Sequence, residues 1–170
     1  MGDDLQKVVG DILVSTARGR HTMLDYINCT IPQKNIESVL LNLIFNFKII
    51  CEEEALLIVG EKCVVFDGSI SPPGGTFVLC LDESHISLHS YADMGLIAVD
   101  CFTCSKKPQA HINALRRIED LMSVNFPDGM LFKRYSVARF LTPYHSPAPY
   151  IQPLDSPTPF QRPSLNLELE

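Results

Sequence analysis

Apolar residues recur along this chain with two periods, and the changes between them mark out its elements. Leu5, Val8, Val9, Ile12 and Leu13 follow helical spacing and predict a short amphipathic helix at the start. Thr22-Met23-Leu24-Asp25-Tyr26-Ile27 reads as a strand with Asp25 among apolar neighbours. Pro32 then opens a helix, since proline suits a first turn, and Ile36, Leu40, Leu43, Ile44 and Phe47 form its buried stripe. Short strands are expected at 55–59, 62–66, 77–81 and 85–90, with the turn-rich stretch 68–75 between two of them. Residues 96–102 form a further apolar strand. Residues 108–124 predict a second helix with Ile112, Leu115, Ile118 and Met122 on one side, and 132–140 a last strand.

Strands packed on two helices from one side predict an α+β fold, a two-layer sandwich. The character changes beyond Leu141, where seven of the 12 prolines fall between Pro143 and Pro163. Proline lacks the backbone donor a sheet needs, so 142–170 is read as a disordered or surface-wrapping tail. The expected organisation is an N-terminal extension over 1–17, one domain over 18–141, and this tail.

Composition narrows the class. With 170 residues, 46% apolar and 20% charged, the chain has the balance of a soluble globular protein with one sizeable core. A net charge of −6 without a basic patch argues against a nucleic-acid or anionic-membrane partner. Residues 1–17 carry Asp3, Asp4 and Asp11 and have no unbroken apolar stretch, unlike a signal peptide. No apolar run approaches the roughly 20 residues a membrane span needs. The six cysteines are irregularly spaced and read as reduced thiols, so the expected compartment is the cytoplasm.

The candidate chemistry lies in the most strand-like part of the chain. Ser84 follows Glu83, His89 stands five residues further on, and Cys104 twenty further on. A nucleophile, a base and a thiol acid on neighbouring strands make a reaction centre plausible. His85 and His89 share a strand face, but zinc is a weak reading because no third ligand is evident, so no metal is expected. Cys101 and Cys104 form an isolated C-x-x-C without a thioredoxin-like unit before it.

The whole segment resembles the short prokaryotic-type S-adenosylmethionine decarboxylases, whose motif has the form E-S-H-[I/L]-[S/T]-I-H-T-W-P-E-x-G-x-A-x-[V/I]-D-x-F-T-C. Here the chain reads Glu83-Ser84-His85-Ile86-Ser87-Leu88-His89-Ser90-Tyr91-Ala92-Asp93-Met94-Gly95-Leu96-Ile97-Ala98-Val99-Asp100-Cys101-Phe102-Thr103-Cys104, matched without a gap. Gly19-Arg20-His21, with Asp25 and Cys29, resembles the family's opening strand. The resemblance covers about residues 18–140.

That resemblance implies an antiparallel sheet with helices on one face, and a proenzyme that cuts itself between Glu83 and Ser84. Ser84 would become a self-generated pyruvoyl cofactor that forms a Schiff base with the substrate amine and acts as an electron sink. His89 would be the processing base, Thr76 the oxyanion donor in processing, Glu83 the cleavage-site carbonyl and Cys104 the proton donor. Asp93, Asp25 and Phe66 fall where substrate would bind. Asp100 is expected to be a satisfied polar residue and Cys101 a small buried one. The implied reaction is decarboxylation of S-adenosylmethionine for spermidine biosynthesis, by a homodimer of cleaved protomers whose sites draw on both chains. Tyr91-Ala92 replaces Trp-Pro, Asp93 replaces glutamate, and no aromatic stands in 68–73, where the family tends to stack adenine. Two alternatives follow: an ornithine or arginine decarboxylase with the same pyruvoyl chemistry, or a non-catalytic regulatory homologue. Retention of Ser84, His89 and Cys104 speaks against the latter.

Overall fold

A computed structural model of the chain describes residues 19–82, 84–104, 108–139 and 151–152. The predicted N-terminal helix, Glu83 and most of the tail lie outside them. The elements run β1 (Gly19–Ile27), a 3-10 turn (Gln33–Asn35), α1 (Ile36–Glu53), β2 (Ile58–Phe66), β3 (Gly74–Leu81), β4 (Ser84–Tyr91), β5 (Leu96–Thr103), α2 (Pro108–Asn125), β6 (Met130–Arg139) and β7 (Ile151–Gln152). They build one antiparallel sheet of order β2-β3-β4-β5-β1-β6-β7. Its last strand is two residues of the proline-rich tail.

Alternation sorts the sheet into two faces. Leu24 and Tyr26 of β1, Phe77 and Leu79 of β3, Ile86 and Leu88 of β4, and Ile97 and Val99 of β5 are all buried on one face. Both helices cover that face. Leu40, Leu43, Ile44 and Phe47 of α1 are buried, and the Phe47 ring meets Phe77 edge-on at 5.1 Å. Arg117 of α2 pairs with Glu53 and Glu54 at the end of α1. The α+β sandwich with helices on one face is therefore as expected.

Two local expectations change. No strand occupies 55–57, because α1 continues to Glu53 and closes in a Schellman turn. Leu56 N–H donates to the Cys51 carbonyl, Ala55 N–H donates to the Glu52 carbonyl, and Ala55 takes φ 57. The two strands expected at 55–59 and 62–66 are one strand, with its register shifted between Ile58 and Gly60. On α2, His111 rather than Ile112 joins the buried side chains Leu115, Ile118 and Met122: His111 is 1% exposed and Ile112 only half-buried.

His111 is a buried polar side chain in the helix-covered layer. Its Nδ1 lies 2.8 Å from Thr103 Oγ1 and its Nε2 lies 3.0 Å from Thr22 Oγ1, which donates to Ser136 Oγ at 3.1 Å. With the Thr22 proton directed at Ser136, Nε2–H donates to Thr22 and Nδ1 accepts from Thr103, an assignment of the neutral tautomer by its partners. Burial, reinforced by the positive charges of Arg20, Arg134 and His21, holds the imidazole pKa down to about 4 from an ordinary 6.5. A base depressed on folding takes up its proton more readily in the unfolded chain. Stability is thus complete above about pH 6.5 and is lost as pH falls toward 4, by on the order of 3 kcal/mol. Chemical denaturation across this range is expected to show that extra loss in the wild type and not in His111→Gln. Parallel pH curves would overturn the assignment.

Candidate active site

The face of the sheet away from the helices carries the polar half of each strand, and register places the candidate residues on it. Thr76 of β3 lies directly opposite His89 of β4, with Thr76 Oγ1 2.5 Å from His89 Nδ1. The Tyr91 ring stands edge-on to His89 at 4.4 Å, and the Phe66 ring lies 6.1 Å from it. Asp25 shares this level of the sheet through its pairing with Ala98, itself opposite His89. Asp93 is exposed in the turn between β4 and β5. A cluster of processing and substrate-side candidates thus occupies one end of the open face.

The other end holds a different set. Cys80, His85, Phe102 and His21 form a row across β3, β4, β5 and β1. The Phe102 ring lies 5.9 Å from His85 and 5.8 Å from His21, and the Arg139 guanidinium stands over it at 5.4 Å. His21 Nε2 donates to Asp100 Oδ1 at 3.2 Å, so Asp100 is a satisfied polar residue, as expected. Cys101 is fully buried, and burial pushes its thiol pKa up. Cys104 follows the last residue of β5 and is half-buried beside Gly19, where a Cβ would come within 3.3 Å of its Sγ and 3.1 Å of the Phe102 ring. A larger residue here would press on the thiol and the Phe102 ring by a few tenths of an ångström.

Ser84 begins β4, paired with Leu81 of β3. Alternation gives Ser84 the phase of Ile86 and Leu88, opposite to that of His85 and His89. Five residues of extended strand separate it from His89, roughly 16 Å. Within one chain the fold therefore sets Ser84 near the Cys104 end and leaves the His89–Thr76 pair at the other end. Within one chain the length of the strand keeps serine and histidine apart. Sequence reasoning also left the His21–Asp100 contact unpaired, because its partners lie 79 residues apart. Among the described residues no group of three or more His, Cys, Asp or Glu side chains is placed to hold a metal ion, and no helix is long and apolar enough to cross a membrane.

Comparison with known proteins now decides the family. Residues 20–121, more than half of the chain, match the family described as S-adenosylmethionine decarboxylase. The chain belongs to that family. A relative from Symbiobacterium thermophilum named S-adenosylmethionine decarboxylase proenzyme is 36% identical over 86 residues, 51% of this chain and 60% of that protein. A proenzyme of the same name from Brevibacillus brevis is 38% identical over 64 residues, 38% of this chain and 45% of that one. The chain thus spans about half the length of these relatives. The crystal structure of the adenosylmethionine decarboxylase from Aquifex aeolicus shares the fold, with a TM-score of 0.54 at 21% identity, covering 77% of this chain and 98% of that one.

The glycines that open β3 set the position of Thr76 in this S-adenosylmethionine decarboxylase fold. A Cβ on Gly75 would lie 2.7 Å from the Val64 carbonyl oxygen and against the Leu40 side chain, so backbone would have to shift. At Gly60 the nearest atom to an added Cβ, in Cys80, is 3.8 Å away. Gly75→Ala is expected to cost about 2 kcal/mol in denaturant unfolding, while Gly60→Ala costs under about 0.5 kcal/mol. Equal costs at the two sites would contradict this close-packed entry to β3.

Proposed function

We propose that this protein is a pyruvoyl-dependent proenzyme that cleaves itself between Glu83 and Ser84 and then decarboxylates S-adenosylmethionine, as a step toward spermidine. The observation that carries the reading is the Thr76–His89 pair, hydrogen-bonded on the open face, in a chain that retains Ser84 and Cys104 at the other end of the same strands. Two copies packed open face to open face about a two-fold axis bring the His89 end of one against the Ser84 end of the other. The separation along β4 then has a purpose, and the functional unit is a homodimer with two composite sites.

The chain's own residues suffice for the cut. The Ser84 hydroxyl attacks the Glu83 carbonyl carbon, and the partner's Thr76 hydroxyl donates to the oxyanion that forms. Collapse breaks the peptide C–N bond, the Ser84 nitrogen gains a proton, and Glu83 is left as an ester on the Ser84 oxygen. If His89 Nδ1–H donates to Thr76 Oγ1, Nε2 keeps its lone pair for the Ser84 α-proton and the Thr76 proton stays free for the oxyanion. One tautomer thus prepares both steps. Loss of the α-proton expels Glu83 as a carboxylate, and water then replaces the nitrogen as ammonia, leaving a pyruvoyl group at residue 84.

Ser84 at the head of β4, with Cys104 in the notch of Gly19 on the neighbouring strand, fits such a group. Once formed, it supplies a carbonyl that captures the substrate amine and draws off the electrons released with carbon dioxide. Cys104 holds the proton to be returned to the substrate α-carbon. Asp93 is assigned to the ribose hydroxyls, Asp25 to a second acidic contact, and Phe66 to the aromatic flank. No cofactor beyond the self-made group is called for.

A second reading, a basic amino acid such as ornithine or arginine as substrate, is favoured by one feature. Ile70 is 98% exposed on the segment where the family tends to stack adenine, and it offers no aromatic face. Carbon dioxide release from S-adenosylmethionine, ornithine and arginine separates the two readings.

Cleavage itself is tested by mixing inactive chains. Ser84→Ala and His89→Ala are each expected to stay uncut when expressed alone. Co-expressed, they should restore cutting of the His89→Ala chain only, because its Ser84 meets an intact His89 in the partner. Failure of the mixture to cut would sink the composite site, and self-cutting of His89→Ala alone to a fragment blocked at residue 84 would remove His89 from the mechanism.

A further inference from the structure

Cys104 is the first residue past β5, where the ladder with β1 has ended, since the last register pair is Arg20 with Thr103. A proton donor there needs its position fixed by something other than sheet hydrogen bonds. We propose that His111 is a positioning residue for Cys104, clamping the residue beside it to the centre of the fold.

The clamp is built from four side chains that are all buried: Thr103 at 3% exposure, His111 at 1%, Thr22 at 1% and Ser136 at 8%. The imidazole is hydrogen-bonded through both nitrogens, to β5 at Thr103 and to the neighbouring strand β1 at Thr22, and Thr22 passes the connection to β6 at Ser136. Cys101 Sγ, 3.6 Å from Nδ1, packs against the same ring edge. His111 stands in the first turn of α2, so its bond to Thr103 ties both ends of the link from 103 to 111 together. Cys104 is carried on that link. A buried bond on the residue next to it restricts where Cys104 can move. Below Cys104, Thr103 is held by the clamp; above it, the notch at Gly19 receives the thiol. The two devices act from opposite faces of the sheet on consecutive residues.

A histidine kept only for bulk would not use both nitrogens on hydroxyls, since an apolar residue of like volume fills the layer without burying three hydroxyl groups. The arrangement also explains why a neutral imidazole suits the site. It accepts at one nitrogen and donates at the other, which no aliphatic side chain does. The consequence for turnover rests on Cys104 being the proton donor of the reading above. The clamp does not.

The test therefore reads the thiol directly. Iodoacetamide labelling of the native full-length chain, followed by peptide mass spectrometry, gives the alkylation rate of Cys104 against exposed Cys80, with buried Cys51 and Cys101 reporting on the core. In both His111→Phe and Thr103→Val the Cys104 rate is expected to rise roughly tenfold relative to Cys80, with Cys51 and Cys101 still protected. Combining the two changes should add little to either one. His111→Asn, whose amide keeps a partner for Thr103, should recover most of the wild-type rate. An unchanged Cys104 rate in His111→Phe and Thr103→Val overturns the proposal, and so does labelling of Cys51 and Cys101 in step with Cys104, which would make His111 a general core residue. If the labelling behaves as expected while the wild type decarboxylates none of the three substrates, the clamp stands and the functional reading falls. If the wild type is active, His111→Phe should lower kcat with KM unchanged.

Discussion

An extended strand fixes two things at once: which face each side chain takes, and how far apart residues stand along it. In β4 both matter. Alternation sends Ile86, Leu88 and Ser90 beneath the helices and His85, Ser87 and His89 to the open face. The rise of the strand keeps Ser84 roughly 16 Å from His89. No rotamer closes that distance. The proposed two-chain site spans that distance without bending the strand.

The two faces have different physical tasks. On the helix-covered face, aliphatic and aromatic residues supply the burial that holds the sheet together, with Phe47 against Phe77 joining α1 to β3. The open face gives up that stabilisation and carries histidines, acids, rings and a thiol in rows set by register. Departures from the family motif fall unevenly over it. Tyr91 and Asp93 lie at or just beyond the His89 end of β4, as does the change to exposed Ile70 in the preceding loop, whereas Ser84, His89, Thr76 and Cys104 remain compatible with self-cleavage. In the proposed reading, recognition of substrate and formation of the cofactor are thus separable. A change of substrate need not disturb the cut.

Much of this was legible in the residues. The stripe Ile36, Leu40, Leu43, Ile44, Phe47 marked α1, and alternation from His85 to Ser90 and from Leu96 to Phe102 marked two central strands. The end of α1 was not, because Ala55 holds the left-handed position usually given to glycine and so left no signal. Thr76 and His89 could be named from the motif, but their contact depended on the β3–β4 register, which pairs Leu81 with Ser84. The split between the two ends of the open face needed distance, which spacing in sequence does not express. His111 was overlooked although it joins the stripe of Leu115, Ile118 and Met122. A histidine in line with that stripe was the available sign of a buried polar hub.

The central claim is that Ser84 is consumed by cleavage of its own backbone. Intact-mass measurement of the purified, denatured chain tests it most directly. The account predicts two fragments, residues 1–83 and residues 84–170, the second blocked to amino-terminal sequencing and lighter than its serine form by the mass of one ammonia. A single intact chain of 170 residues that persists through prolonged incubation would contradict it.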